Sequence, residues 1–289
     1  MPIQFNIPEA EFRSRAKQIK ALVFDLDDTL LDSEKNIPGR ALAAIHALQE
    51  KGSFVTICTA RNCSAAQYYA RQLGIQGVYS AVSGCQMVDG RTGKLLRGRS
   101  ICDRDAVRLI TFCLEQDAPF SLSVGQEGYV GGPLEPDGAY MKLRSSRKKM
   151  VDPVRSMKKL TDPEILYGQT VYKVVVHSEK FYDMLSRFLR EQLPGVQCAV
   201  TSKGVVNLFP AGSDKGMGVL QIAEWMGIQP AGFCAFGDFS NDVPMFQACG
   251  LSVAMGNAED TVRRKAAAVT ESADRGGIAE FLESVFLMQ

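Results

Sequence analysis

The chain has 289 residues, 46% of them hydrophobic and 22% charged, with a formal net charge of +1. That length suits one large domain or two modest ones around a substantial core. The near-neutral balance excludes a global electrostatic pull toward nucleic acid or a membrane surface. No apolar run approaches the roughly 18 residues that span a bilayer. Met1 to Phe12, with Pro2, Pro8, Glu9 and Glu11, lacks the apolar stretch of a secretory signal. The eight cysteines are scattered, form no CxxC pair and read as reduced thiols packed as small apolar residues. A cytoplasmic location is expected, and composition sets no oligomeric state.

In chain order, residues 8–20 read as a short helix, with Phe12, Ala16 and Ile19 on one face. Ala21-Leu22-Val23-Phe24 is a continuous apolar run, short enough to be a strand buried on both faces. Pro38 opens a helix carrying Leu42, Ile45 and Leu48, which Gly52 closes. Phe54 to Cys58 is the next buried strand, a helix follows from about Ser64 to Leu73, and Val78 to Val82 makes a third strand. This alternation predicts a doubly wound parallel sheet.

The pattern changes after Gly84. Met87 to Leu96 reads as a hairpin around Asp89-Gly90 and Gly93. Helices are expected near 103–116 and 179–192, with strands near 119–124, 171–177, 196–200 and 204–209. After Pro210 the first pattern returns: a helix from about Lys215 to Met226, a strand Phe233 to Phe236, a helix Val243 to Cys249, a strand Leu251 to Met255 and two closing helices. The fold class is therefore α/β. A Rossmann-like, doubly wound core from 1–84 and 211–289 is interrupted by an α+β insert at about 85–210.

Four sites lie just after a strand or at a helix start, where open α/β sheets bind ligands. Asp25-Leu26-Asp27-Asp28-Thr29-Leu30 follows the first strand. Alternate residues of an extended chain point the same way, so Asp25 and Asp27 can face one cavity. Adjacent carboxylates repel and need a cation or a protonated partner. A hard dication such as Mg²⁺ supplies that charge and prefers oxygen ligands. The same string also fits a plain acidic turn. Gly237-Asp238-Phe239-Ser240-Asn241-Asp242 adds two carboxylates and an amide. Asp238 is the better metal ligand of the two, because Asp242 also sits where a helix cap would. Thr59-Ala60-Arg61 offers a hydroxyl and backbone N–H groups for phosphate oxygens. Lys215, in Asp214-Lys215-Gly216, offers a charge to balance the carboxylates and touch a transferring phosphate.

The order and spacing of the four sites resemble the haloacid dehalogenase superfamily, and within it the Cof-like, type IIB phosphatases, from Leu22 onward. The string GDxxNDxxMF at 237–246 is similar to that group's last motif. So are Ala254-Met255-Gly256-Asn257-Ala258, Val269-Thr270 and Gly276-Gly277-Ile278. The resemblance implies a Mg²⁺-dependent phosphatase acting on a small phosphorylated metabolite, such as a sugar phosphate or a phosphorylated cofactor. In that reading Asp25 is the nucleophile and forms an aspartyl-phosphate, while Asp27 protonates the leaving alcohol and then activates water. Thr59, Lys215, Asn241 and the backbone at Leu26 and Ala60 bind the phosphoryl group. Asp25, Asp27 through its backbone carbonyl, and Asp238 hold the metal, with Asp242 beside them. The insert is a cap that closes over the substrate and sets specificity. To act as an acid near neutral pH, Asp27 needs surroundings that favour its neutral form.

Three positions depart from the family's pattern. Asp28 and Ala60 stand where glycines are usual, and Cys85-Gln86 where Asn-Gly is frequent. A phosphomutase using the same aspartates is the nearest rival reading, and a silent metabolite-binding module is another. The basic run from Lys142 to Lys159 holds Lys142, Arg144, Arg147, Lys148, Lys149, Arg155, Lys158 and Lys159 against Asp152. It reads as a solvated loop or as a funnel for anionic esters. His46 and His177 have no partner at zinc-ligand spacing. Trp225 is expected in the core, and the glycines at 125, 128, 131 and 132 do not open a nucleotide-binding unit.

Overall fold

The computed structural model describes residues 3–125, 127–136, 156–202 and 204–288. They form two compact units, one of residues 1–97 and 214–289, the other of residues 98–213. Among the described residues no helix is long and apolar enough to cross a membrane, and all eight cysteines are free.

The first unit is built on a six-stranded sheet. Its strands are β1 (Gln4–Phe5), β2 (Ala21–Phe24), β3 (Phe54–Ile57), β13 (Phe233–Gly237), β14 (Leu251–Ala254) and β15 (Ala268–Val269), in the order β1-β15-β14-β13-β2-β3. All neighbours run parallel except β1, which is antiparallel to β15. A parallel bridge from Cys58 to Ser80 sets β4 (Val78–Ala81) beside β3, and β5 (Gln86–Asp89) and β6 (Leu95–Gly98) continue from β4. The chain thus leaves β2 toward β3 and β4 on one side. It comes back to β13, next to β2 on the other side, and moves away again through β14. The order reverses between β2 and β13, the point where such sheets bind ligands.

Both faces of this sheet are covered, which is why its central strands are mostly apolar. On one face Phe24 stacks on Phe236 with ring centroids 4.7 Å apart, and Phe281 meets Phe236 edge-on at 5.5 Å. On the other, Ala21, Val23 and Ala235 pack with Val219, Ile222 and Ala223 of the helix Lys215–Met226. That helix carries Trp225 past Ile222 and Ala223 to its outer side, so the tryptophan expected in the core is 50% exposed.

The second unit has its own six-stranded sheet, in the order β11-β12-β10-β7-β8-β9. Its strands are β7 (Phe120–Val124), β8 (Glu127–Gly131), β9 (Ser156–Lys159), β10 (Val174–Val176), β11 (Val196–Ser202) and β12 (Val205–Pro210). It is antiparallel apart from the β8–β9 pair. The helices Asp103–Glu115 and Tyr182–Gln192 pack on it through Val107, Ile110, Leu185 and Leu189. Strand β8 escapes sequence reading because Gly128 and Gly131 interrupt its apolar alternation. Gly131 is required there: a Cβ would lie 2.1 Å from the ring of Phe120 on the paired strand.

Of the basic run, Lys142, Arg144, Arg147, Lys148, Lys149 and Arg155 lie outside the described residues. Lys158 pairs with Glu127, and Lys159 with Glu135 and the carbonyls of Gly132 and Leu134. These two charges are tied to their own unit, which weakens the funnel reading for them.

Candidate active site

The carboxyl ends of β2 and β13 lie side by side, with Phe24 in register with Phe236. The next residues are therefore neighbours. Asp25 follows β2 with its N–H bonded to the carbonyl of Phe236 at 2.9 Å, and Asp238 follows β13. Both are buried, as is Asp242 in the short helical turn after them. Carboxylate oxygens of Asp25, Asp238 and Asp242 come within 4.8 Å of one another.

Lys215 opens its helix directly into this group, held by Asp214, whose side chain accepts from the N–H of Met217 at 2.7 Å. Its Nζ lies 2.7 Å from Asp25 and 2.5 Å from Asp242, and the residue is 1% exposed. Burial disfavours its charge, but the charges of Asp242 and Asp25 more than offset this and hold the ammonium protonated far above the usual range. The other oxygen of Asp242 accepts the N–H groups of Asp238 and Phe239 at 2.9 and 3.0 Å. Asp242 thus caps the turn and brackets the lysine. Asp238 accepts the hydroxyl of buried Thr29 at 2.7 Å, which ties the first site to the last.

Three carboxylates and one ammonium leave two negative charges in a buried space. The consequence appears in the proton affinities. Burial, with Asp242 adding to it, pushes Asp25 up to about 7 against the pull of Lys215. Burial and the charges of Asp242 and Asp25 push Asp238 up to about 8. An all-oxygen donor set short of two positive charges fits Mg²⁺. Both carboxyls bind protons more tightly folded than unfolded, so folding stability falls as pH rises through the window from about 4 to about 8. A dication competes for those same oxygens. Thermal melts of metal-free protein are expected to drop from pH 5 to pH 8. Saturating Mg²⁺ is expected to raise the pH 8 melting temperature by about 5 °C, and by less at pH 5. Equal Mg²⁺ shifts at both values would contradict this site.

Asp27 differs from expectation. Arg61 grips its carboxylate through Nε at 2.7 Å and Nη2 at 2.6 Å, and Lys35 Nζ lies 3.1 Å away. Burial favours the neutral acid, but the hydrogen bonds and charge of Arg61 outweigh it, with Lys35 adding to them. Asp27 is held well below the usual carboxylate range. The neutral Asp27 expected from sequence is therefore corrected to an anion in this arrangement, because a fork-shaped guanidinium meets it edge to edge.

Asp28 takes the left-handed conformation, φ 59° and ψ 10°, that a glycine serves elsewhere. Asp tolerates that region, and its side chain accepts from Lys35 at 2.9 Å. The carbonyl of Asp28 accepts the side-chain N–H of Asn257 at 2.8 Å.

Thr59 follows β3 and the Cys58 bridge, 1% exposed, with its hydroxyl accepting the N–H of Arg61 at 3.2 Å. Ala60 lies between these two, and Leu26 lies between Asp25 and Asp27. Asn241 Oδ1 is buried with no hydrogen-bond partner among the described residues. Asp25, Lys215, Asp238 and Asp242 thus form one buried cluster, with Asp27 beside it on an ion pair of its own. Arg61, Lys35 and Thr29 were not singled out from the sequence. Arg61 and Thr29 stand inside strings that were read, whereas Lys35 carries no local signal.

Comparison with known proteins gives a consistent outcome. The profile of the family described as haloacid dehalogenase-like hydrolase matches residues 22–282. A 5-amino-6-(5-phospho-D-ribitylamino)uracil phosphatase, YwtE of Bacillus subtilis, is 27% identical, over 92% of this chain and 98% of its own. A haloacid dehalogenase-like hydrolase from Bacteroides thetaiotaomicron superposes with a TM-score of 0.77 at 22% identity, covering 93% of this chain and 100% of that one. The subclass IIB sugar phosphatase BT4131 does so with a TM-score of 0.74 at 22% identity, covering 92% and 98%.

Proposed function

The chain belongs to the haloacid dehalogenase-like hydrolases and is a phosphatase, and on that premise we propose that it hydrolyses phosphate monoesters of small metabolites with Mg²⁺ and Asp25 as nucleophile. The observation that carries this reading is the position of Lys215 Nζ between Asp25 and Asp242 at the end of β2. A buried carboxylate with a fixed cation beside it is a nucleophile next to a phosphoryl-binding charge.

Asp25 attacks phosphorus; its oxygen–phosphorus bond forms as the ester oxygen–phosphorus bond breaks. A proton from Asp27 goes to the departing alkoxide. Water then attacks the aspartyl-phosphate, its proton returns to Asp27, and Asp25 is regenerated as inorganic phosphate leaves. Thr59, Lys215, Asn241 and the backbone at Leu26 and Ala60 hold phosphoryl oxygens. Asp25, Asp238 and the carbonyl of Asp27 would hold Mg²⁺, with Asp242 completing the carboxylate set, and the ion would supply positive charge against the phosphoryl group. Anionic Asp27 is ready for the second half as base. For the first half it must take up a proton and loosen from Arg61, and an incoming phosphate dianion is the natural competitor for that guanidinium. The unit of residues 98–213, which overlaps the insert read from sequence at 85–210, serves specificity as a cap.

Substrates of this reading are sugar phosphates or phosphorylated cofactors. The test is release of inorganic phosphate from a panel of phosphorylated metabolites. Release is expected with Mg²⁺ and is expected to fall to background with EDTA. Release that needs a bisphosphate activator would favour a mutase, and silence across the panel and toward an aryl phosphate would overturn the reading.

A further inference from the structure

The residues at the strand ends account for the phosphoryl group and leave the organic half of the ester unaddressed. Two buried polar groups at the connection of β4 to β5 take no part so far: Ser83 lies in the turn between the strands, and Gln86 is the first residue of β5. Ser83 is 4% exposed and Gln86 is 5% exposed. Neither Ser83 Oγ nor Gln86 Oε1 has a hydrogen-bond partner among the described residues. Buried polar atoms are nearly always paired, so two orphans three residues apart call for a partner from outside the chain.

The backbone there is unusual as well. Val82, Ser83 and Gly84 have φ of 51°, 51° and 88° in succession. Left-handed backbone is uncommon outside glycine, asparagine and aspartate, and rarest at a β-branched residue such as Val82. Such a run persists only where the surroundings enforce it. They do so here. Val82 N–H donates to the carbonyl of Arg61 at 2.8 Å, and Ser83 N–H to that of Thr59 at 2.9 Å. A Cβ at Gly84 would lie 2.1 Å from the carbonyl oxygen of Asp214. The turn is therefore wedged between the Thr59-Ala60-Arg61 loop and the residue before Lys215. Strain at two ordinary residues, beside both phosphate-binding elements and with an unpaired hydroxyl, places Ser83 for recognition.

Resting on the phosphatase reading, we propose that Ser83 and Gln86 form a polar subsite for the organic part of the phosphate ester, taking a hydroxyl or N–H group that donates to Gln86 Oε1 and shares a hydrogen bond with Ser83 Oγ. The amide is this chain's own, since the Asn-Gly frequent at 85–86 in the family brings no side chain to position 86.

The test compares Ser83→Ala and Gln86→Leu with the wild type on two esters, a phosphorylated polyol and an aryl phosphate without hydroxyl groups. The quantity read is the ratio of kcat/KM for the polyol ester to that for the aryl ester. Each substitution is expected to lower this ratio by about fivefold, the worth of one neutral hydrogen bond. An unchanged ratio, including equal losses on both esters with a lowered melting temperature, overturns the subsite and leaves the turn a purely structural role. Wild-type turnover of the aryl ester with Mg²⁺ guards the parent reading: without it and without polyol turnover both proposals fall, whereas an active enzyme with an unchanged ratio sinks the subsite alone.

Discussion

Asp25→Asn is expected to lower phosphate release by at least about 10⁴-fold while leaving the protein folded. The amide keeps the shape of the side chain and an oxygen for Lys215, but it cannot form an acyl phosphate. The stability readout separates chemistry from folding. Burial pushes Asp25 up to about 7, so its carboxylate weighs against the fold above that pH. Removing the charge is expected to make metal-free protein melt at an equal or higher temperature than the wild type at pH 8. The variant is also expected to show a smaller Mg²⁺ shift, because one oxygen ligand has lost its charge. Substantial surviving turnover would remove Asp25 from the nucleophile's role. A large fall in melting temperature would mean that the activity loss says nothing about chemistry.

Most of the core was legible because burial on both faces leaves a plain signature. Ala21–Phe24, Phe54–Ile57, Phe233–Gly237 and Leu251–Ala254 are short, mostly apolar runs, and Asp25 and Asp238 follow directly where two of them stop. Asp25 and Asp238 could be placed together because parallel strands in one sheet end on the same side. The clamp on Asp27 was not legible. Arg61 comes from the end of β3 and Lys35 from a loop where it holds φ 61°, and only the folded backbone sets both against one carboxylate. The Thr29–Asp238 bond joins residues 209 apart and has no local trace. The protonation expected for Asp27 failed for the same reason: spacing along a chain reports which groups share a strand end, not which cation arrives from another. In the second unit β8 is hidden by its glycines, and Gly131 among them makes room for Phe120, so packing displaced a residue that would announce a strand.

Lys215→Met is expected to cost both function and fold, and the size of the second loss follows from the charge count. Lys215 is the cation of the buried cluster, within 2.7 Å of Asp25 and 2.5 Å of Asp242. Replacing it with an apolar chain of similar length leaves those two carboxyls and Asp238 without a compensating charge. Breaking a buried pair by removing one partner costs about 3–5 kcal/mol, which for a chain of this size corresponds to a melting temperature lower by roughly 10 °C at pH 8. Protonation relieves part of the cost, so the deficit is expected to shrink as pH falls toward 5. Mg²⁺ is expected to recover stability at pH 8 without recovering turnover, because a metal can neutralise the carboxylates but does not replace the ammonium at the phosphoryl group. Lys215→Arg is expected to fare little better than methionine, because the side chain is enclosed at 1% exposure and a guanidinium is wider than an ammonium. Thermal melts across pH with and without Mg²⁺, beside phosphate-release assays, read all of these at once. Full activity in Lys215→Met would show that the buried lysine holds the carboxylates together but does not touch the phosphoryl group.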